Sequence, residues 1–180
     1  MPIMEDDLKR AIEFHGHMCP GLAIGYRVAK YVMNHYRRSE DEELVAVVEN
    51  NSCSVDAIQE MLGCTFGKGN LIFVDNGKQV FTFYHRGDGN AIRIYFRDDI
   101  LQEIFRDGRG EEARSKATEA ILSAPDEVIL SVRNVNIPEP PRARIYPSIK
   151  CQECGESFME IRGKVVNGKI VCEECFSRLA

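Results

Sequence analysis

The stretch Phe14-His15-Gly16-His17-Met18-Cys19-Pro20-Gly21 gathers two imidazoles and a thiol into the five positions 15–19, directly ahead of a proline. Proline suits the first turn of a helix, because the N–H it lacks is one the helix would leave unpaired. Cys19 is therefore expected at or just before a helix N-terminus. There the unpaired N–H groups and the positive end of the helix dipole favour thiolate over thiol. With His15 and His17 it makes a corner able to ligate a metal or present a reactive sulfur. Each residue alone has a plainer role, as a turn histidine or a small buried cysteine. Glycines at 16, 21 and 25 open the backbone to a ligand or a neighbouring helix.

A second dense stretch, Glu49-Asn50-Asn51-Ser52-Cys53-Ser54-Val55-Asp56-Ala57-Ile58-Gln59, repeats that setting. Ser52 or Ser54 is the expected N-cap of another helix, and Asp56 falls in its favourable first turn. Cys53 thus also stands at a helix entrance. The helix should end near Leu62 with Gly63 as its cap, followed by Cys64 and the loop Gly67-Lys68-Gly69. Lys68 and the loop N–H groups could cradle an anion; the loop lacks P-loop spacing, and a plain turn is the competing reading.

The third constellation is Cys151-x₂-Cys154 and Cys172-x₂-Cys175, separated by 17 residues that contain an Asn167-Gly168 turn between two short β-branched runs. Each pair lets two sulfurs reach one tetrahedral ion, and four thiolates close its coordination sphere, so the zinc expected here is structural. Some thirty residues bury little core, and the ion supplies the folding free energy the module lacks. Two redox Cys-x-x-Cys pairs are the alternative, but no βαβ pattern surrounds them. Glutamates 153, 156, 160, 173 and 174 favour a protein contact over nucleic acid.

The elements that position these residues follow from hydrophobic periodicity. Leu8, Ala11, Ile12 and Phe14 mark a short amphipathic helix from about Glu5, and Leu22 to Met33 the stripe of a helix from Pro20 to about Arg37. His35 near its end is expected to face solvent or the helix dipole. Ser39–Glu43 reads as a loop and Leu44–Glu49 as a buried strand. Three strands, 71–75, 79–85 and 91–97, form an expected meander, with Asn76-Gly77 as a hairpin signal. Both faces of its middle strand carry large side chains, so one should meet helices and the other a partner chain or second layer. His85 on that strand is expected at solvent. Helices are expected over 98–107 and 111–123, with a last strand over 126–135. Pro138, Pro140, Pro141 and Pro147 stiffen a connector. The expectation is an α+β fold: an antiparallel meander sheet packed with helices, plus a small C-terminal zinc-ribbon or treble-clef-like module. Its boundaries are 1–137 for the α+β domain, 138–147 for the linker and 148–180 for the four-cysteine zinc-binding domain.

Across 180 residues, Lys+Arg 23 against Asp+Glu 28 leaves a net charge of −5, and the 44% hydrophobic content suffices for a packed core. The acidic balance disfavours nucleic acid and anionic membranes. No apolar run reaches the length of a membrane span, and the acidic start does not read as a secretory signal. Seven cysteines, four of them in Cys-x-x-Cys pairs, suggest metal ligation in a reducing, cytoplasmic setting.

Taken together the chain resembles the FmdE family, proteins known as the E component of formylmethanofuran dehydrogenase or related to it. The resemblance rests on Phe14-His15-Gly16-His17-x-Cys19-Pro20-Gly21-x-x-x-Gly25 and Cys53-x-x-Asp56-Ala57-Ile58-Gln59. It extends through Gly63-Cys64-Thr65-x-Gly67-Lys68-Gly69-Asn70-Leu71, Asp75-x-Gly77-Lys78 and the terminal Cys-x-x-Cys-Gly-Glu knuckle. The resemblance implies an α+β domain, a homodimer, and in some members an appended zinc finger. It also implies an association with the molybdenum or tungsten enzyme that reduces carbon dioxide onto methanofuran. Carried onto this chain, its candidate site is His15, His17, Cys19, Cys53, Asp56 and Cys64. Convergence of those thiols with His17 would offer a second transition-metal site beside the structural zinc, or a thiolate–imidazolium pair for nucleophilic or redox work on an unidentified small molecule. Two functions follow: metal- or thiol-dependent chemistry or cofactor handling for such an oxidoreductase, or a non-catalytic accessory or regulatory role in which the zinc domain docks on a protein partner.

Overall fold

The structure is a computed structural model that describes residues 6–180, so the expected helix start at Glu5 lies outside the described residues. The chain divides into two compact units, one ending at Arg142 and the other spanning Ala143–Ala180. Among the described residues no helix is long and apolar enough to cross a membrane.

In the first unit, α1 (Asp6–His15) leads through a turn at Gly16 into α2 (Pro20–Met33). Strand β1 (Leu44–Val48), helix α3 (Ser54–Leu62) and strand β2 (Leu71–Phe73) follow, then β3 (Val80–His85) and β4 (Ala91–Phe96). Helices α4 (Asp99–Ile104), α5 (Glu111–Ser123) and α6 (Asp126–Ile129) precede β5 (Leu130–Val135). The five-stranded sheet has the order β2-β1-β3-β4-β5 and is mostly antiparallel, within an α+β fold.

Strand alternation sorts the sheet into two faces. Ala46, Phe83 and Ile92 stand opposite one another across three strands, and with Leu44, Val48, Phe81, Ile94 and Phe96 they pack against the helices as the main core. The other face carries a smaller row, Val45, Tyr84 and Ala91, joined by Val135 and by Ile137 from the segment after β5.

Several expected elements change. β2 is not the first arm of a hairpin; it pairs parallel to β1 through Ala46↔Leu71, and β3 lands on the other side of β1. Parallel neighbours need a crossover, which α3 supplies. The Asn76-Gly77 link passes across the end of β1, with Val74 N–H donating to the Val48 carbonyl and Lys78 N–H to that of Glu49. The strand expected over 126–135 begins as the short α6, with Pro125 at its N-cap. α2 stops at Met33, not Arg37, and α4 covers six residues only. The N-cap of α3 is Cys53. Ser52 and Ser54 instead bond each other and the Asn50 side-chain oxygen.

The second unit holds β6 (Ser148–Lys150), β7 (Ser157–Met159), a 3-10 turn at Glu160–Arg162, β8 (Lys164–Val166), β9 (Lys169–Val171) and α7 (Glu173–Leu179). β6 pairs antiparallel with β7, and β8 with β9. Its buried core is no more than Cys151, Val171 and Cys175, against which Phe158 and Phe176 pack.

Candidate functional site

Cys19 is the N-cap of α2, with extended backbone, and its Sγ accepts a hydrogen bond from Leu22 N–H at 3.4 Å. Pro20 follows at the first helical position, as its chemistry dictates. One turn back, His15 ends α1, and Gly16 reverses the chain with φ +96°, a conformation that favours glycine. This turn folds His17 back over His15, their ring centroids 4.6 Å apart. One ligand atom from each of His15, His17 and Cys19 lies within 4.8 Å of the others.

Asp56, from the first turn of α3, completes the corner. Its Oδ2 lies 2.7 Å from His15 Nδ1. A carboxylate can only accept, so the proton of this bond sits on Nδ1. The opposite nitrogen, Nε2, then faces Cys19 Sγ at 3.8 Å. His17 is exposed, while His15 and Cys19 are half-buried.

Cys53 arrives through close helix contact. A Cβ on Gly21 would lie 3.0 Å from Cys53 Cβ, and one on Gly25 would lie 2.1 Å from the Ser54 carbonyl oxygen. The glycines therefore admit a neighbouring helix, and that approach sets Cys53 beside Cys19. Burial pushes the Cys53 thiol up, and its hydrogen bond with Cys19 adds to the rise.

Cys64 does not join this group. It follows the left-handed Gly63 cap at the far end of α3, and nine helical residues set the two ends about 14 Å apart. Cys64 is fully buried and donates to the Leu44 carbonyl, and burial pushes its thiol up to about 12. Lys68 is likewise engaged, its Nζ donating to the carbonyls of Ser39 and Glu40. The Gly-Lys-Gly loop is thus a turn that ties down the 39–43 loop. His85 stacks on Tyr36 with Nδ1 3.0 Å from Asp88, and His35 lies against Tyr31.

A cleft of about 1010 Å³ opens from His17 and Cys19 toward α5, where Arg109, Arg114, Thr118 and Leu122 line it. This wall is not legible in the sequence, since nothing local ties α5 to residues ninety positions earlier.

In the second unit the sulfurs of Cys151, Cys154, Cys172 and Cys175 all lie within 4.8 Å of one another. Tetrahedral zinc needs sulfurs about 3.8 Å apart, given zinc–sulfur bonds of about 2.3 Å, so this donor set fits the ion with small adjustment. Cys151 and Cys154 flank the turn after β6, Cys172 caps α7 and Cys175 lies in its first turn: knuckle, hairpin, then helix, as in a treble clef. Outer contacts support thiolates, with Cys172 N–H donating to Cys151 Sγ at 3.3 Å and Arg178 Nη2 to Cys175 Sγ at 3.0 Å. Burial pushes the Cys151 thiol up, but the backbone N–H groups of Cys154, Cys172 and Glu153 outweigh it and bring it to about 6.

Comparison with known proteins meets this geometry. The model of the family described as "FmdE, Molybdenum formylmethanofuran dehydrogenase operon" matches residues 14–131, a span holding the whole His/Cys corner. The chain belongs to the FmdE family. A second model, "Prokaryotic dksA/traR C4-type zinc finger", matches residues 144–179. An Archaeoglobus fulgidus protein described as "Probable S-adenosyl-L-methionine-binding protein" is 32% identical over 183 aligned residues, covering 87% of this chain and 50% of that protein. The FmdE-family chain thus spans about half the length of that curated relative. A solved protein from Syntrophus aciditrophicus, described as a "tungsten formylmethanofuran dehydrogenase subunit e (fmde)-like protein", has the same fold, with a TM-score of 0.71 at 22% identity over 95% of this chain and 90% of that one.

Proposed function

We propose that His15, His17 and Cys19 bind a transition metal, and that this FmdE-family protein uses the site for metal- or thiol-dependent chemistry on a small molecule. The setting we propose is cofactor or substrate handling, as a homodimer, for a molybdenum or tungsten formylmethanofuran dehydrogenase-type enzyme. The observation that carries this reading is Asp56 on the outer nitrogen of His15. Metal-ligating histidines give their second N–H to a carboxylate, which fixes the tautomer and raises the basicity of the ligating nitrogen. His15 has that arrangement, with Nδ1 2.7 Å from Asp56 and Nε2 turned toward Cys19.

Two imidazoles and a thiolate suit zinc or another late transition metal, and three protein ligands leave a position open. A metal there would supply Lewis acidity toward a carbonyl or phosphoryl oxygen. Cys53 stands beside Cys19 as a further sulfur. The cleft alongside is at the upper end of the size range for small-molecule sites, room enough for the ligand class named for the Archaeoglobus relative.

Cobalt(II) titration of the full chain tests the reading. The four-cysteine site is expected to give one sulfur-to-cobalt absorption band, and a second equivalent a weaker, distinct band that disappears in Cys19→Ser. Identical spectra from wild type and Cys19→Ser would sink it.

A second reading rests on the 3.8 Å between Cys19 Sγ and His15 Nε2. Asp56, His15 and Cys19 then form a carboxylate–imidazole–thiol relay that activates the sulfur without a metal. It predicts that Asp56→Asn slows alkylation of Cys19 while metal content stays unchanged.

A further inference from the structure

The cleft beside the His/Cys corner has a far wall that metal binding alone does not use. Arg109 and Arg114 line it, on either side of the start of α5. Exposed Arg37, Arg106 and Arg133 have no ion pair among the described residues, whereas the half-buried arginines of this unit are matched by carboxylates: Arg27 by Asp126, Arg86 by Glu42 and Glu139, Arg93 by Glu49. The two in the cleft are not. Arg109 lies over the Phe105 ring, 5.5 Å from its centroid, and among the described residues neither guanidinium has a salt-bridge partner. One carboxylate, Glu111, shares this end of the cleft, and Glu119 lies further along the helix. Gly110 caps the 13-residue α5 without a side-chain bond, which adds the positive end of the helix dipole. Met18 and Leu122 give the cleft apolar surface between the two ends.

We propose that Arg109 and Arg114 bind the oxyanion group, carboxylate or phosphate, of a small-molecule substrate whose reacting end is presented to Cys19 and His17. The identity of that reacting end rests on the metal or thiol reading above; the anion subsite does not. Guanidinium forks bind planar carboxylates and phosphates through paired N–H donors. A single exposed pair contributes little, but two cations lining one cleft with apolar surface raise the local concentration of an anionic ligand.

The test compares two reagents of nearly equal size on Cys19 of the full chain as purified: anionic iodoacetate and neutral iodoacetamide, with modification mapped by mass spectrometry. Any effect of bound metal on the rate ratio is common to wild type and the arginine variant, so the difference between the two reads the arginines whichever way the metal count falls. The iodoacetate-to-iodoacetamide ratio at Cys19 is expected to exceed that of free cysteine in the same buffer by about tenfold. It should fall to the free-cysteine value in Arg109→Gln/Arg114→Gln and stay high in Lys116→Gln, whose partner is Glu112. The substituted arginines are exposed, and an unchanged melting temperature confirms the fold. Inorganic phosphate and succinate are then added as competitors, and the one effective at the lower concentration identifies the oxyanion. A wild-type ratio equal to that of free cysteine, or one unmoved by the double substitution, overturns the proposal. So does an arginine-dependent ratio that neither competitor lowers, since that marks a diffuse field without a binding site.

Discussion

The two cysteine clusters of this molecule differ in how they are closed. In the C-terminal unit four sulfurs come from two local Cys-x-x-Cys pairs, and among the described residues the ligand atoms gathered there are those four sulfurs. In the N-terminal unit a thiol and two imidazoles share a corner, a carboxylate from another helix orients one imidazole, and one side opens on a cleft. The first arrangement saturates a metal and staples a module with almost no core. The second sits on an extensive hydrophobic core and keeps room for a ligand. Both ligand sets are local in sequence; what separates them is that the first closes on itself, while the second is completed by Asp56 from another helix and stays open on one side, the arrangement that chemistry on a ligand would require.

That contrast orders the expected effects. Cys172→Ser should be the most severe, because apparent zinc binding of about 10–16 kcal/mol is the folding free energy of such modules. Heteronuclear NMR is expected to show residues 143–180 collapsing to random-coil shifts with the first unit unchanged; loss of both units together would break the distinction. Next is Gly25→Ala, whose Cβ would meet the Ser54 carbonyl oxygen at 2.1 Å. It should destabilise the first unit by about 1–3 kcal/mol in urea unfolding and displace Cys53 from Cys19.

Asp56→Asn is smaller in energy but specific. It should weaken metal binding at the corner by about 10–100-fold, read by competition with a chromophoric chelator, and leave the four-cysteine site untouched. The smallest effect concerns Cys64. With its thiol pushed up to about 12 by burial, it stays protonated at pH 8 and should resist iodoacetamide in the folded chain. Because its pKa rises on folding, its contribution lowers stability as pH climbs from 9 toward 12, and Cys64→Ala should flatten that decline. Rapid labelling of Cys64 alongside Cys19 would erase the separation between core thiol and site thiol.

What could be read from the chain tracks this same division. The four-cysteine module and the His15–Cys19 corner were legible because their residues are neighbours in sequence and Pro20 marks the helix start. Asp56 was legible as a first-turn acid, though not as the partner of His15, since the packing of α3 against α1 and α2 depends on Gly21 and Gly25. Cys64 was misplaced for a reason visible in the sequence: an intervening helix of nine residues cannot bring both of its ends to one pocket. The parallel β1–β2 pair was also written in the strand–helix–strand order, but the local strength of Asn76-Gly77 argued for a hairpin. The arginine wall of α5 had no local signature, because its meeting with Cys19 is made by tertiary packing alone.

Metal stoichiometry of the purified full chain, by inductively coupled plasma mass spectrometry, tests the central claim most directly. Two metals per chain are expected, with Cys172→Ser losing one and Cys19→Ser the other. One metal per chain, removed by Cys172→Ser and indifferent to Cys19→Ser, would contradict it.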